Sequence, residues 1–299
     1  MTANAQLVLL AESPSPDLAL GATFAEAQSP DLTRGSIFFV GTATVLLRYA
    51  GFTILTDPNF LHKGETIKLG YGLRSTRRTN PALDINQLPP LDLVVLSHMH
   101  EDHFDRIAEK QLDKTVPIVT TSHAAESLRQ SGFLTLHPLT TWQTLTVQKG
   151  AVKLEITAMP GVHGPGPLSK ALPPVMGSML HFMTLEGRSL FHLYITGDTL
   201  IHDNLREIPR RYPQIDLALL HLGGTKALGL LLTMDAKQGV EMIRRVRPRL
   251  SIPIHYNDYT VFKSPLRDFA AAVNAAGLRD RVRYIKHGDT YTFTVPATS

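Results

Sequence analysis

The stretch Ser97-His98-Met99-His100-Glu101-Asp102-His103 decides how this chain is to be read. It follows Leu91 to Leu96, a nearly continuous apolar run typical of a strand buried on both faces. A strand whose C-terminal end opens into a loop is where α/β folds place ligands. His98 and His100 are two residues apart, so on extended chain their imidazoles point the same way and reach one metal ion. Asp102 and His103 follow where the chain turns and aim at a second ion beside the first. Imidazole and carboxylate suit Zn²⁺, with Mn²⁺ or Fe²⁺ as alternatives.

Three further segments supply the same chemistry. His163 lies in Met159-Pro160-Gly161-Val162-His163-Gly164-Pro165-Gly166, Asp198 in Tyr194-Ile195-Thr196-Gly197-Asp198-Thr199, and His255 in Ile252-Pro253-Ile254-His255-Tyr256-Asn257. Asp198 and His255 each come just after an apolar strand-like run. Separate strand ends would then deliver polar ligands to one rim of the fold.

In residue type and order these positions resemble the metallo-β-lactamase superfamily, from about Ser36 to the end of the chain. The resemblance implies an α/β fold, a four-layer αββα sandwich with two divalent metal ions at one edge. It implies His98, His100 and His163 as ligands of the first ion. Asp102, His103 and His255 would hold the second, and Asp198 would bridge. Within the superfamily the chain resembles a group of metal-dependent hydrolases that includes bacterial ascorbate-6-phosphate lactonase and N-acylphosphatidylethanolamine phospholipase D. The supporting strings are Gly41-Thr42-Ala43-Thr44-Val45-Leu46-Leu47, Leu55-Thr56-Asp57-Pro58, Gly223-Gly224-Thr225 and Ile252-Pro253-Ile254-His255-Tyr256. Such proteins often carry a histidine where this chain has Thr42, so a role for that histidine does not transfer.

Two divalent ions about 3.5–4 Å apart clamp a bridging hydroxide and polarise an electrophile. Metal binding brings the pKa of water to about 7, so the nucleophile exists at neutral pH. Two carboxylates against two dications leave a positive surplus that favours an anionic substrate or transition state. The expected activity is hydrolysis of an ester, lactone or phosphodiester, with an amide also within reach, on a small-molecule or lipid-like substrate. Asp102 is either a ligand only or also the proton acceptor for the bridging water. Asp57 is expected to hold a ligand imidazole by its far nitrogen, the other reading being an Asp-Pro turn. His221 is read as a substrate or oxyanion contact, or else as a satisfied rim histidine. Tyr256, Asn257 and Tyr259 either line the pocket or pack structurally. Arg74, Arg77 and Arg78, in a Gly-rich loop at 70–79, form a phosphate clamp in one reading and a solvated loop in the other. Arg244, Arg245, Arg247 and Arg249 sit where a helix dipole favours cations and read as structural. His62, His123, His137, His181, His192, His202 and His287 have no ligand-like context.

The rest of the composition narrows the classes. The chain has 299 residues and no cysteine, which excludes disulfides, thiolate zinc sites, iron–sulfur clusters and a cysteine nucleophile. Its formal charge is +4, and no long insertion is visible, so nucleic acid is not an expected partner. A nuclease on the same fold is the alternative function. A non-catalytic scaffold is disfavoured by the complete ligand set. An iron redox protein is disfavoured by His100, where a carboxylate would be expected, and a β-lactamase by the want of an export signal. The apolar run Leu7 to Ala11 is short and the first basic residue is Arg34, so a cytoplasmic location is expected. No uncharged run reaches a membrane span. A homo-oligomer is compatible with the sequence.

Residues 1–34, with Ser13-Pro14-Ser15-Pro16 and Ser29-Pro30, read as an irregular N-terminal extension, either a loose arm or a segment packed on the body. Residues 35–299 read as one hydrolase domain. Strands are expected at Ser36–Val40, Thr44–Tyr49, Phe52–Leu55, Leu91–Leu96, Pro117–Thr120, Leu145–Val147, Val152–Ala158, Met179–Thr184, Leu190–Ile195, Leu217–Leu222, Ser251–Ile254, Val282–Ile285 and Thr290–Val295. Helices are expected at Ile107–Leu112, Ser122–Ser131, Asp235–Val246 and Leu266–Ala276, closed by Gly132, Pro248 and Gly277 where those residues follow.

Overall fold

A computed structural model describes residues 30–69, 74–227 and 229–295, together with the strands Leu7–Leu10 and Leu18–Ala22. Its two large sheets have eight and seven strands. The seven-stranded sheet runs Leu136–Pro138, Ile118–Thr120, Leu93–Val95, Phe52–Thr56, Thr44–Tyr49, Arg34–Gly41, Thr290–Thr294. The expected antiparallel opening is present: Arg34–Gly41 pairs with Thr44–Tyr49, which pairs with Phe52–Thr56. From Phe52–Thr56 outward through Leu93–Val95 to Leu136–Pro138 the pairing is parallel.

Strand alternation explains the layers. In this sheet Ile37, Phe39, Val45, Leu47, Phe52, Ile54, Leu93 and Val95 face one buried cluster, shared with the other sheet. Their neighbours Val40, Leu46, Leu55, Val94 and Leu96 face a second cluster, closed by Phe104, Ala108, Ala124 and Leu128. Those four belong to, or directly precede, the helices Arg106–Gln111 and Ser122–Gln130. A period-2 strand with apolar residues on both faces must be covered on both sides.

The eight-stranded sheet runs Leu7–Leu10, Leu18–Ala22, Thr144–Lys149, Val152–Met159, Gly177–Thr184, Ser189–Ile195, Leu217–His221, Leu250–Ile254. Its last three strands are parallel. Val240 and Ile243 of helix Ala236–Val246, and Phe269 and Val273 of Leu266–Ala275, pack on it, as the helical spacing of Val240 and Ile243 implied. The order helix, sheet, sheet, helix is the expected αββα sandwich. No helix among the described residues is long and apolar enough to cross a membrane.

Three readings of the sequence change. The lead-in read as irregular contains two strands that add to the open edge at Thr144–Lys149, the short way to satisfy an unpaired edge. Val282–Ile285 is not a strand; one bridge joins Val282 to Ser251, because strand Leu250–Ile254 already ends the sheet there. The loop read over 70–79 has become a strand by Arg74–Thr76, paired with Thr66–Lys68; residues 70–73 lie outside the described residues.

Candidate metal centre

All seven expected side chains meet at the rim where the two sheets end. The loop after Leu93–Val95 brings His98, His100, Asp102 and His103 from the seven-stranded sheet. The ends of Val152–Met159, Ser189–Ile195 and Leu250–Ile254 bring His163, Asp198 and His255 from the other. Potential ligand atoms among the described residues fall into three close groups, with every atom of a group within 4.8 Å of the others: His98–His100–His163, Asp102–His103–Asp198–His255, and Asp57–His103–His221, whose members already hydrogen-bond to one another through Asp57. The first two groups adjoin, for the His98 and His103 ring centroids are 4.2 Å apart.

Hydrogen bonds fix which ring nitrogen faces inward. His163 Nδ1–H donates to the Leu232 carbonyl at 3.1 Å, and His255 Nδ1–H to that of Leu222 at 3.2 Å. His103 Nδ1–H donates to Asp57 Oδ2 at 3.0 Å. Ser97 Oγ–H donates to the same carboxylate at 3.0 Å, so Ser97 Oγ accepts from His98 Nδ1–H, also at 3.0 Å. In each case Nε2 is left for the cluster, the arrangement by which outer partners orient metal ligands. His100 instead presents Nδ1, 3.0 Å from His98 Nε2. Buried Asp102 Oδ1, His103 Nε2 and Asp198 Oδ1 have no hydrogen-bond partner. Buried polar atoms are rarely left unpaired, and a cation among these oxygens and nitrogens would satisfy them. The donor set therefore fits a divalent metal.

The electrostatics divide the two groups. Burial holds His98 well below its ordinary pKa, aided by His103 and His100. Burial and the neighbouring His163 push His100 down to about 4, and burial lowers His163. In the second group burial works in the same direction but loses. Asp198 and Asp102 raise His103 well above the usual range, and Asp198 with Asp102 raises His255. Burial pushes Asp198 and Asp102 up, yet His255 and His103 hold both down.

The backbone is unusual at the same place. Thr42, Asp57 and His255 have φ of 52°, 35° and 59°, in the left-handed region. Such conformations cluster where surrounding contacts over-determine them. The contacts are present: His255 N–H donates to the Thr42 carbonyl at 2.7 Å, and Thr42 N–H donates to Asp258 Oδ2 at 2.9 Å. Thr44 Oγ1 donates to the Asp57 carbonyl at 2.6 Å.

Asp57 is thus no mere Asp-Pro turn. It accepts from Ser97, His103 and His221, and although burial works against it, His103 and His221 keep its pKa at about 2. His221 needs correction as a substrate or oxyanion contact. It is fully buried, with Nε2 on Asp57 at 3.2 Å and Nδ1 3.3 Å from Thr196 Oγ1, so no face is free. Arg77 is no exposed clamp: its guanidinium is buried, donates to the carbonyls of Thr79 and Asn59, and lies 3.7 Å from Asp258. Arg74 and Arg78 are exposed. Tyr256 and Tyr259 pack inward, donating from OH to the Ile285 carbonyl and Asn59 Oδ1; Asn257 is exposed. The sequence reading missed Ser97 and Asn59. Asn59 Nδ2 donates to the Glu101 carbonyl at 2.8 Å, bracing the ligand loop. The one available signal was their place beside His98 and Asp57-Pro58.

Residues 53–256 match the beta-lactamase superfamily domain. The UPF0173 protein YddR of Bacillus subtilis (strain 168) is 26% identical over 265 residues, 85% of this chain and 98% of that protein. The UPF0173 metal-dependent hydrolase NEQ378 of Nanoarchaeum equitans (strain Kin4-M) is 23% identical over 194 residues, 65% of this chain and 83% of its own length. The crystal structure of a possible metal-dependent hydrolase from Veillonella parvula DSM 2008 superposes with a TM-score of 0.72 at 20% identity, covering 86% of this chain and 98% of that one.

Proposed function

Since the chain belongs to the beta-lactamase superfamily domain family and is a metal-dependent hydrolase of that fold, we propose that it works with two divalent ions. His98, His100 and His163 hold one, Asp102, His103 and His255 the other, and Asp198 lies between. The observation that carries this reading is the meeting of two ligand groups, one of neutral imidazoles and one with two carboxylates, across a 4.2 Å ring contact. Zinc suits this nitrogen-rich set best.

Bound ions would supply Lewis-acid polarisation and a water acidic enough to react at neutral pH. The chain's own part is orientation and proton handling. Asp57, Ser97 and the carbonyls of Leu222 and Leu232 lock the imidazole tautomers. Asp102, holding an ion through one carboxylate oxygen, would have the other to take a proton from a nucleophilic water. The excess of ionic charge over the two carboxylates favours an anionic substrate such as a phosphodiester, or the oxyanionic transition state of lactone or ester hydrolysis.

The test is metal analysis of the purified protein, then turnover of a panel of lactones, phosphodiesters, phosphotriesters and β-lactams. About two ions per chain are expected. Chelation should abolish activity, and His100→Ala or Asp198→Ala should each lower kcat/KM by about 10²-fold or more. Turnover that survives chelation or both substitutions rules the reading out.

A further inference from the structure

Beside His163 opens a cavity of about 640 Å³. Its place in the fold is specific. His123 and Thr141, on one wall, follow the strands Ile118–Thr120 and Leu136–Pro138. These run parallel to Leu93–Val95, whose own end begins the ligand loop 97–103. The cavity therefore shares the rim of the metal centre, with a candidate ligand in its wall.

The opposite wall is the excursion 161–175 between strands Val152–Met159 and Gly177–Thr184. Both of its ends are tied to the site. Val162 N–H donates to Thr199 Oγ1 at 2.9 Å, and Leu200 N–H to the Val162 carbonyl at 2.8 Å. At the other end Met176 N–H donates to the Ser97 carbonyl at 3.1 Å. The ends also touch each other, since a Cβ at Gly161 would come within 2.9 Å of the Val175 side chain. A wall pinned in this way is formed before any ligand arrives, which lowers the ordering cost of binding.

The lining is chemically lopsided. Val162, Leu172 and Val175 make an apolar body, Lys170 and His123 contribute basic groups, and no carboxylate lines the cavity. Lys170, exposed at the end of the turn Gly166–Lys170, has no carboxylate partner among the described residues. One ammonium offers a point charge without the bidentate fork of a guanidinium, which is enough to pair with one singly charged group such as a carboxylate.

We propose that this cavity holds the non-reacting part of the substrate, and that it selects organic carboxylates with an apolar body, Lys170 meeting the carboxylate. This deepens the hydrolase reading and rests on it for the word substrate, but the binding itself does not depend on turnover.

The experiment measures binding of 4-phenylbutyrate and its neutral counterpart 4-phenylbutan-1-ol to the metal-loaded protein, by calorimetry or ligand-observed NMR. The acid is expected to bind about two- to fivefold more tightly than the alcohol. Lys170→Gln should erase that preference, and Lys170→Arg should keep most of it. The alcohol should bind all three proteins alike. Equal binding of acid and alcohol overturns the proposal, as does absence of binding by both at millimolar probe. So does a preference that survives Lys170→Gln, which would put the carboxylate on the ions. A Lys170-dependent preference in a protein that turns over none of the panel would sink the hydrolase reading and leave the carboxylate cavity standing.

Discussion

At the scale of single residues, the two ligand groups differ in what competes for them. His98, His100 and His163 are neutral near pH 7, so their lone pairs are ready. His103 and His255 are held above the usual histidine range by Asp198 and Asp102, so a cation there must displace protons. The sign follows: acidification favours the protons, and the second group should lose its ion first as pH falls from about 8 to about 5. Metal content after dialysis across that range should drop in two steps, and a single step for both ions contradicts the division. Asp57 offers a second test. Asp57→Asn keeps the shape but removes the charge that orients His103 and accepts from His221, and metal affinity should fall about 10–100-fold. Unchanged affinity would make Asp57 a turn residue after all. The convergence of the seven candidate ligands was legible because each follows a strand-like run or lies in the H-x-H-x-D-H string. The roles of His221 and Arg77 were not. Their partners, Asp57 and Asp258, are far away in sequence, and nothing local says that a polar side chain at a strand end turns inward.

Among elements, the turns at the rim carry the constraint. Gly197, just before Asp198, has φ of 62°, and a Cβ there would lie 2.7 Å from the Met176 carbonyl and 3.3 Å from Ser97 Cβ. That place joins the Asp198 loop to the His98 loop and to the cavity wall. Gly197→Ala should destabilise the protein by about 1–3 kcal/mol and lower its metal content, read by urea unfolding and metal analysis; a neutral outcome would show the turn to be pliant. Apart from Leu18–Ala22, strands of five or more residues with period-2 apolar patterns were legible within a residue or two at their ends. Three-residue strands such as Thr66–Lys68 and Leu136–Pro138 were not, since they exist only where a neighbour supplies pairing. The apolar alternation at Val282–Ile285 failed for the converse reason, because no second strand extends beside it.

For the whole molecule, the candidate ligands straddle the sandwich. Four come from one sheet and three from the other, so ions held there would cross-link the sheets in addition to their shared core. An ion that binds only the folded chain stabilises it by mass action. At about a hundredfold over its dissociation constant this is worth about 2.7 kcal/mol, or roughly 5–10 °C in Tm for a domain of this size. Chelated protein should melt lower by that margin in scanning calorimetry. Equal melting temperatures would mean the ions add no bond between the sheets. The layer order itself was not readable from periodicity, which yields strands but not their neighbours; it came from the resemblance carried by the rim motifs. The crossing of the sheets also sets a timetable for biosynthesis. The chain leaves the ribosome N-terminus first, so His98, His100 and His163 are available well before His255, which awaits the final parallel strand Leu250–Ile254. On the two-ion reading, the first group of donors is complete in the emerging chain once His163 is made, whereas the second stays incomplete until the closing strand Leu250–Ile254 delivers His255.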